Sequence, residues 1–537
     1  MQKIIEKIPK HIWILLGIIL LGIFLRAYNF HDWLDFGSDQ VKDITVVSSF
    51  IKGETDLPLL GPDMSNSGDK WMKKRFRIGP MYYYFEIISA KIFGNKPEAM
   101  AYPDLIFSIL SIPLFYYFLR KIFDTNLSLS LAGLYTISFY SLSFSHSAWN
   151  VNSIPFFSLL FLLSLYEFIV GKEKTRWKWI IALGISLGVG IQLHAVLLVL
   201  FPLVSFFTFA LFMRKNSQIW KKMAGIIFIM IILNLGQIVY EVQTNLKNSR
   251  TFLTSVNSAN ASGYNSPILM SATNLSCNFQ ANLYMLSSVG NPDCDISLTA
   301  AIQKGFNDKI LEKFSQPLFI LKIIICALFS IIGYGLLIYY YKKEREQKRK
   351  YFFILIVLYT AVSFIIMLPV IDAPFRYFVH IIFLPFIFLG LAINFLMQKF
   401  SRRYFIMAVS VFAFLALSNS FSTYLEIKNE FANSRITLGQ VEAMADYIIS
   451  QENSQKEIYI FTTSKTDAFF NSLKYIADEK GVSFLRAKKG VNIPAGKPRF
   501  YLEDIKDVSA GSIINGHNFD NYKNFNFNQT TVFHLTN

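Results

Sequence analysis

Residues 11–53 read HIWILLGIILLGIFLRAYNFHDWLDFGSDQVKDITVVSSFIKG, and two kinds of structure meet in this stretch. From Ile12 to Leu25 the chain is continuously apolar, behind Lys3, Lys7 and Lys10, as expected of a helix that crosses a hydrocarbon layer of about 20 residues. No small-residue cleavage site follows it, so the run is expected to remain as a first span. Beyond it, GSDQVKDITVVSSFIKG (37–53) offers Ser38 as an N-cap, an apolar face of Ile44, Val47, Phe50 and Ile51, and Gly53 as a stop. That pattern predicts an amphipathic helix lying on the membrane surface.

The rest of the chain repeats the first kind of segment. Of 537 residues, 53% are hydrophobic and 16% charged, and the 53 Phe outnumber the 52 Lys and Arg together. A water-soluble domain carries about 25% charge, so a soluble enzyme is excluded. Basic residues gather in short loops between apolar runs, as in Lys342, Lys343, Arg345, Lys348, Arg349 and Lys350. This is the cytoplasmic bias of membrane topology, and it accounts for the net charge of +16 without nucleic acid as a partner.

Threading the chain by those clusters gives about eleven spans, a cytoplasmic N-terminus and an extracytoplasmic C-terminus, with long outer segments at 28–101 and 242–315. Residues 425–537 lose the membrane composition. There EIYIFTT (457–463), a helix from Asp467 to Lys480, SFLRA and RFYLED predict a small outer α/β domain. The expected fold class is therefore an α-helical polytopic membrane protein, residues 1–424, with amphipathic juxtamembrane helices and an extracytoplasmic α/β domain, residues 425–537.

Acids and cations concentrate in the first outer segment. Asp39 falls in the first turn of the amphipathic helix, where the dipole favours a carboxylate, and Asp43 lies one turn on along the same face. Either can act as a general base, although an N-terminal Asp also serves simply to compensate the dipole. KKRFRIGPMYYYFEIISAKIFG (73–94) follows, with Arg75 and Arg77 as candidates to hold a lipid phosphate and Tyr83 in an aromatic, interfacial helix. Attraction of these cations to anionic headgroups is the plainer alternative. Asp104, Glu167 and Glu241 flank spans, where they are expected to meet water. Cys277 and Cys294 share one polar segment, and a bridge between them would contribute about 3 kcal/mol in an oxidising compartment; two unrelated thiols are the other reading. Cys326, in an apolar run, is expected to pack.

In order along the chain stand Asp39-Gln40, LLGP (59–62), GPMYYYF (79–85), SHSAWNVNSIPFF (145–157), LGVGIQLH (187–194) and FRYFVHIIFLP (375–385). This series resembles the GT-C membrane glycosyltransferases of family 39, kin of the protein O-mannosyltransferases and of the aminoarabinose transferases of lipid A, over roughly residues 12–400. The resemblance implies inverting transfer of a sugar from a polyprenyl-phosphate donor to an acceptor on the extracytoplasmic face of the cell membrane. It implies Asp39 as the base, with Arg77 and Arg376 meeting the leaving phosphate, and it makes Trp149, Asn150, Asn152 and His194 candidates to line the sugar site. The acceptor, whether lipid, glycan or protein, is left open. Two departures stand out: relatives carry an acidic pair where this chain has Asp39-Gln40, and His before the Gly-Pro where it has Ile78. The first speaks against a two-carboxylate or metal-assisted mechanism, and no cofactor is expected. His146 and His194, at outer ends of spans without a supporting carboxylate pattern, make a poor metal signature.

The rival reading is a transporter or flippase of lipid-linked saccharides. Such a protein is expected to place ionisable or broken-helix elements near the bilayer midplane, whereas here the polar residues gather at the outer face. A receptor-like scaffold would leave the ordered motifs without a purpose, and a nucleotide-sugar donor would be on the cytosolic side, away from the acids.

Overall fold

The computed structural model describes residues 9–64, 76–212, 219–261, 267–289, 294, 316–368, 375–399, 402–426, 428, 436–452, 456–463, 466–487, 497–504, 522–527 and 530–535. Its helices are α1 (Lys10–Ala27), α2 (Ser38–Ile51), α3 (Met81–Phe93), α4 (Pro97–Leu119), α5 (Thr125–Ile137), α6 (Phe139–Ser143), α7 (Ile154–Val170), α8 (Glu173–Gly190), α9 (Ala195–Phe212) and α10 (Ile219–Leu233). They continue with α11 (Leu235–Gln243), α12 (Lys247–Ala261), α13 (Pro267–Ser287), α14 (Pro317–Lys343), α15 (Gln347–Met367), a 3-10 segment (Phe375–Ile381), α16 (Leu384–Lys399), α17 (Arg402–Leu425), α18 (Leu438–Gln451) and α19 (Asp467–Glu479).

The chain is a multi-pass membrane protein, but its spans are less regular than the apolar runs suggest. Among the described residues six helices, α1, α4, α9, α14, α15 and α17, are long and apolar enough to cross a bilayer. Two bent pairs, α10 with α11 at 67° and Phe375–Ile381 with α16 at 56°, raise the count to at most eight, against about eleven expected. The remaining runs fall short for local reasons: α5 stops after 13 residues at Ser138, α7 has 17 residues, and α8 opens on Glu173, Lys174, Arg176 and Lys178. Outward faces are apolar and exposed, as at Leu20, Phe24, Leu318, Phe414 and Leu417, which suits a lipid solvent. Inside, one buried cation is engaged on several sides. The fully buried Arg26 donates from Nε to Ser108 Oγ (2.8 Å), from Nη1 to the Thr136 carbonyl (3.0 Å) and from Nη2 to Ser141 Oγ (3.1 Å), tying α1 to α4, α5 and α6.

The C-terminal region contains β1 (Glu457–Thr462), β2 (Ser483–Ala487), β3 (Arg499–Asp504), β4 (Tyr522–Phe527) and β5 (Thr530–Leu535) in the order β2-β1-β3-β5-β4. β1 runs parallel to β2 and β3; β5 runs antiparallel to β3 and β4. The three expected strands and the helix α19 are in place within a residue of their expected ends. α18 and the β4–β5 hairpin complete the α/β unit.

This unit is seated on the segment that joins α1 to α2, and on α2 itself, rather than hung beyond the membrane helices. The Phe36 amide donates to the Ile436 carbonyl (2.7 Å), the Leu438 amide to the Leu34 carbonyl (2.8 Å) and the Asp35 amide to the His146 carbonyl (2.8 Å). Three distant stretches are thus joined by backbone pairing just before α2. On α19, Ser472 Oγ donates to the Phe36 carbonyl (2.7 Å), Tyr475 meets the Phe36 ring edge-on at 5.8 Å, and Glu479 pairs with Lys52 at 2.6 Å.

Candidate functional site

α2 carries both candidate acids, and its surroundings correct part of the sequence reading. Gly37 occupies the N-cap position, in extended conformation, with no side-chain cap hydrogen bond; Ser38 is already the first helical residue. Ile44 and Val47 are fully buried, packed under α3 and α19 instead of lying on lipid. Asp39 stays exposed in the first turn. Gln40 beside it is buried and donates to Ser147 Oγ at 3.2 Å, which fastens the start of the helix to the 145–153 loop.

Asp43 is different from Asp39 in kind. It is 5% exposed and accepts a hydrogen bond from Tyr83 Oη at 2.6 Å. Burial pushes its carboxyl from 3.8 up to about 6, against the Tyr83 hydrogen bond and the charges of Lys42 and Arg77, which pull it down; the Asp39 charge pushes it further up. Tyr83 is therefore a buried support for Asp43 rather than an open contact surface. One turn further along α3, Glu86 is fully buried, and neither carboxyl oxygen makes a hydrogen bond of good geometry to a described residue. Desolvation, with the Asp43 and Asp104 charges nearby, pushes it well above the usual carboxylate range.

Arg77 is held by backbone pairing between the two Gly-Pro motifs. Gly61 N donates to the Ile78 carbonyl (2.8 Å), Ile78 N to the Pro62 carbonyl (3.1 Å) and Met64 N to the Phe76 carbonyl (3.0 Å). A Cβ on Gly61 would stand 2.1 Å from the Gly79 carbonyl oxygen, and one on Gly79 would stand 2.2 Å from Gln192 Oε1, so both positions need glycine for close approach. Arg77 Nε donates to the Gly61 carbonyl (2.8 Å), while Asn248 of α12 grips the Arg77 backbone from both sides, at 3.0 and 2.8 Å. Arg75, the other cation named from that stretch, lies outside the described residues.

The remaining motifs converge on the N-terminal end of α3. Gln192 Oε1 accepts from Met81 N at 3.2 Å, and Asn150 Nδ2 donates to the Leu193 carbonyl. Asn152 Nδ2 donates to the Ser147 carbonyl at 2.7 Å, so both Asn side chains brace loops. His194 is buried, accepts from Val196 N on Nδ1 (3.2 Å) and meets the Tyr377 ring edge-on at 5.1 Å. His146 is buried as well, against Ser145 Oγ at 3.1 Å. Arg376, half-buried, sets its guanidinium 5.7 Å from the centre of the Trp149 ring and hydrogen-bonds no described residue. An aromatic-backed guanidinium with donors to spare is suited to an anionic oxygen.

Sequence reading missed the centre of this network. Asp104, expected to meet water, is fully buried in α4. Glu241 is also buried and accepts from Ser249 N (2.9 Å) and Oγ (2.8 Å); Glu167, mostly buried, pairs with Lys121. The signal for Asp104 was available: an ionisable residue within an apolar span is a functional candidate until another role is found. Among the described residues no three His, Cys, Asp or Glu side chains come together as a metal ligand set. Cys277 and Cys294 form a disulfide, and Cys326 is a buried free thiol.

The family of dolichyl-phosphate-mannose-protein mannosyltransferases matches residues 78–236 in sequence, the part that contains the Gly-Pro, Trp-Asn and Gln-Leu-His motifs. None of the curated proteins matches the chain. Among solved structures, that of ArnT from Cupriavidus metallidurans in the apo state is similar over 97% of both chains, with a TM-score of 0.52 and 10% identity. The same protein bound to undecaprenyl phosphate gives a TM-score of 0.54 at 11% identity, again over 97% of both chains. At such identity the likeness is one of fold: nearly the whole chain, C-terminal α/β unit included, follows the same course.

Proposed function

We propose that this chain is a glycosyltransferase of the GT-C superfamily and moves a sugar from a polyprenyl-phosphate carrier to an acceptor on the extracytoplasmic face, with Asp39 as general base. The exposed Asp39 takes the proton of the acceptor hydroxyl; its oxygen bonds to the anomeric carbon as the bond from that carbon to the phosphate oxygen breaks. One displacement inverts the anomeric centre. The electron pair leaves with the polyprenyl phosphate, whose growing charge is met by Arg376 and Arg77 as fixed donors. Asp43, held by Tyr83 one turn behind Asp39, sets the field of that first turn and is the second acid of the site. Trp149 and His194 line the sugar pocket, and Asn150 and Asn152 hold the loop that carries Trp149.

The observation that carries this reading is the Arg376 guanidinium, hydrogen-bonded to no described residue and backed by Trp149, which stands on a loop that Ser147 and Gln40 tie to the helix bearing the acids. The name of the family matched and the undecaprenyl phosphate bound by the structural neighbour point to the same donor chemistry. The Cys277–Cys294 disulfide supports an extracytoplasmic place for the segment that carries it; in the proposed topology the N-terminus is cytoplasmic and the C-terminal domain outside. There the domain and that segment select the acceptor, a lipid, glycan or protein.

The test is turnover of a radiolabelled polyprenyl-phosphate hexose by the purified chain in lipid nanodiscs with mixed acceptors. Release of polyprenyl phosphate with transfer of label is the expected result. Lipid bound and moved between leaflets without cleavage would replace the transferase by a flippase.

A further inference from the structure

We infer that Asp104 is a positioning residue for the donor-phosphate site, acting through the 149–153 loop and Trp149 on Arg376. The inference rests on the transferase reading above and extends it to a residue in α4 that touches no substrate.

Three hydrogen bonds converge on this fully buried carboxyl group: Trp149 N at 3.0 Å and Tyr82 Oη at 2.8 Å on Oδ2, and Ser153 Oγ at 2.7 Å on Oδ1. Two of the three come from opposite ends of one five-residue loop, and the third comes from α3, next to the Tyr83 that supports Asp43. The carboxyl group accepts all three as they stand; an Asn in its place keeps at most two of them as acceptor and turns Nδ2 on Ser153 Oγ, reversing the third. Asp104 is the partner of the part-buried Trp149 amide, a donor that needs one where water does not reach it. Asp104 therefore fixes the backbone from which the Trp149 ring projects. That ring stands 5.7 Å from the Arg376 guanidinium, whose direction is set by no hydrogen bond to a described residue, so the ring is what orients it. Through Tyr82 the same carboxylate fixes the loop relative to α3, and so the phosphate site relative to the acids.

The test compares native chain, Asp104→Asn, Ser153→Ala, Trp149→Phe and the Asp104→Asn, Trp149→Phe pair in nanodiscs, reading binding of polyprenyl phosphate and the separate KM and kcat for donor and acceptor. The loss of a buried hydrogen bond has the size of about a tenfold effect. Asp104→Asn is therefore expected to weaken polyprenyl phosphate binding and raise donor KM by about tenfold, with acceptor KM unchanged. The double variant is expected to show less than the product of the single effects, because both act through one ring. A purely structural role would lower the melting temperature and leave the donor affinity of the folded fraction as it was. Should Asp104→Asn fail to fold, Ser153→Ala carries the test, since it removes one loop bond and leaves the carboxylate two others. Native affinity in a folded Ser153→Ala or Asp104→Asn protein, or multiplicative effects in the pair, would overturn the inference while leaving the transferase reading intact. Absence of polyprenyl phosphate binding by the native chain would overturn both.

Discussion

Replacing Asp43 by Asn should make the protein more stable at neutral pH and less able to transfer sugar. Asp43 rises from 3.8 to about 6 on folding, chiefly through burial. Because the folded-state value is the higher one, the folded protein keeps this proton longer than the unfolded chain. The contribution of the group is fully present below about pH 4 and is lost as pH rises through about 6. At about 1.36 kcal/mol per pH unit, the native chain above pH 6 carries about 3 kcal/mol of destabilisation at this one position. An Asn of the same shape has no proton to lose, and its amide oxygen still accepts from Tyr83 Oη, which now sits 2.6 Å from Asp43 Oδ1. Thermal unfolding of native and Asp43→Asn proteins in one detergent at pH 4, 5.5 and 7.5 reads this directly. The two curves should nearly coincide at pH 4 and separate with rising pH until the variant leads by about 3 kcal/mol. Transfer by the native enzyme should rise through about pH 6 as Asp43 ionises, and the variant should lack that rise. A gap that does not change with pH, or a variant that melts earlier at pH 7.5, would refute the reasoning, since either would mean that burial does not hold the proton.

Arg376→Lys should weaken donor binding by roughly tenfold, because an ammonium gives up the planar fork and its stacking on Trp149; isothermal titration with polyprenyl phosphate measures it, and Arg376→Ala should lose still more. Gly61→Ala, whose Cβ would meet the Gly79 carbonyl oxygen at 2.1 Å, should displace the strand pair that holds Arg77 and cost about 1–3 kcal/mol; the melting temperature in detergent checks this, and an unchanged value would mean that the two Gly-Pro motifs are not in close contact. Glu86→Gln should leave stability within about 1 kcal/mol of native or raise it, because burial disfavours the charged form of that carboxyl; the same melts at pH 7.5 decide it.

The sequence made the local elements legible. Apolar runs marked the helices, alternation marked β1, β2 and β3, and the cluster 37–53 marked α2 with Asp39 in its first turn, because each of these is written in neighbouring residues. The bends at Asn234 and near Ile382–Phe383 carry local marks, Asn234 with Gly236 and Gln237 at the first and Pro385 at the second, but an apolar run read whole hides them, and the span count suffers there. Partnerships across the chain were also hidden. No periodicity says that Gln192 accepts from Met81, that Ser472 donates to Phe36 some 436 residues away, or that α19 is seated on α2. Order of motifs was enough to suggest one site without showing that Asp104 joins the 149–153 loop to α3.

Sugar transfer from polyprenyl-phosphate hexose by native, Asp39→Asn and Asp43→Asn proteins in nanodiscs, with polyprenyl phosphate binding measured on the same samples, tests the central claim most directly. The account predicts transfer by the native chain, its loss in Asp39→Asn with lipid binding retained, and a smaller, pH-dependent loss in Asp43→Asn. Full transfer by Asp39→Asn, or binding without turnover in all three, would contradict it.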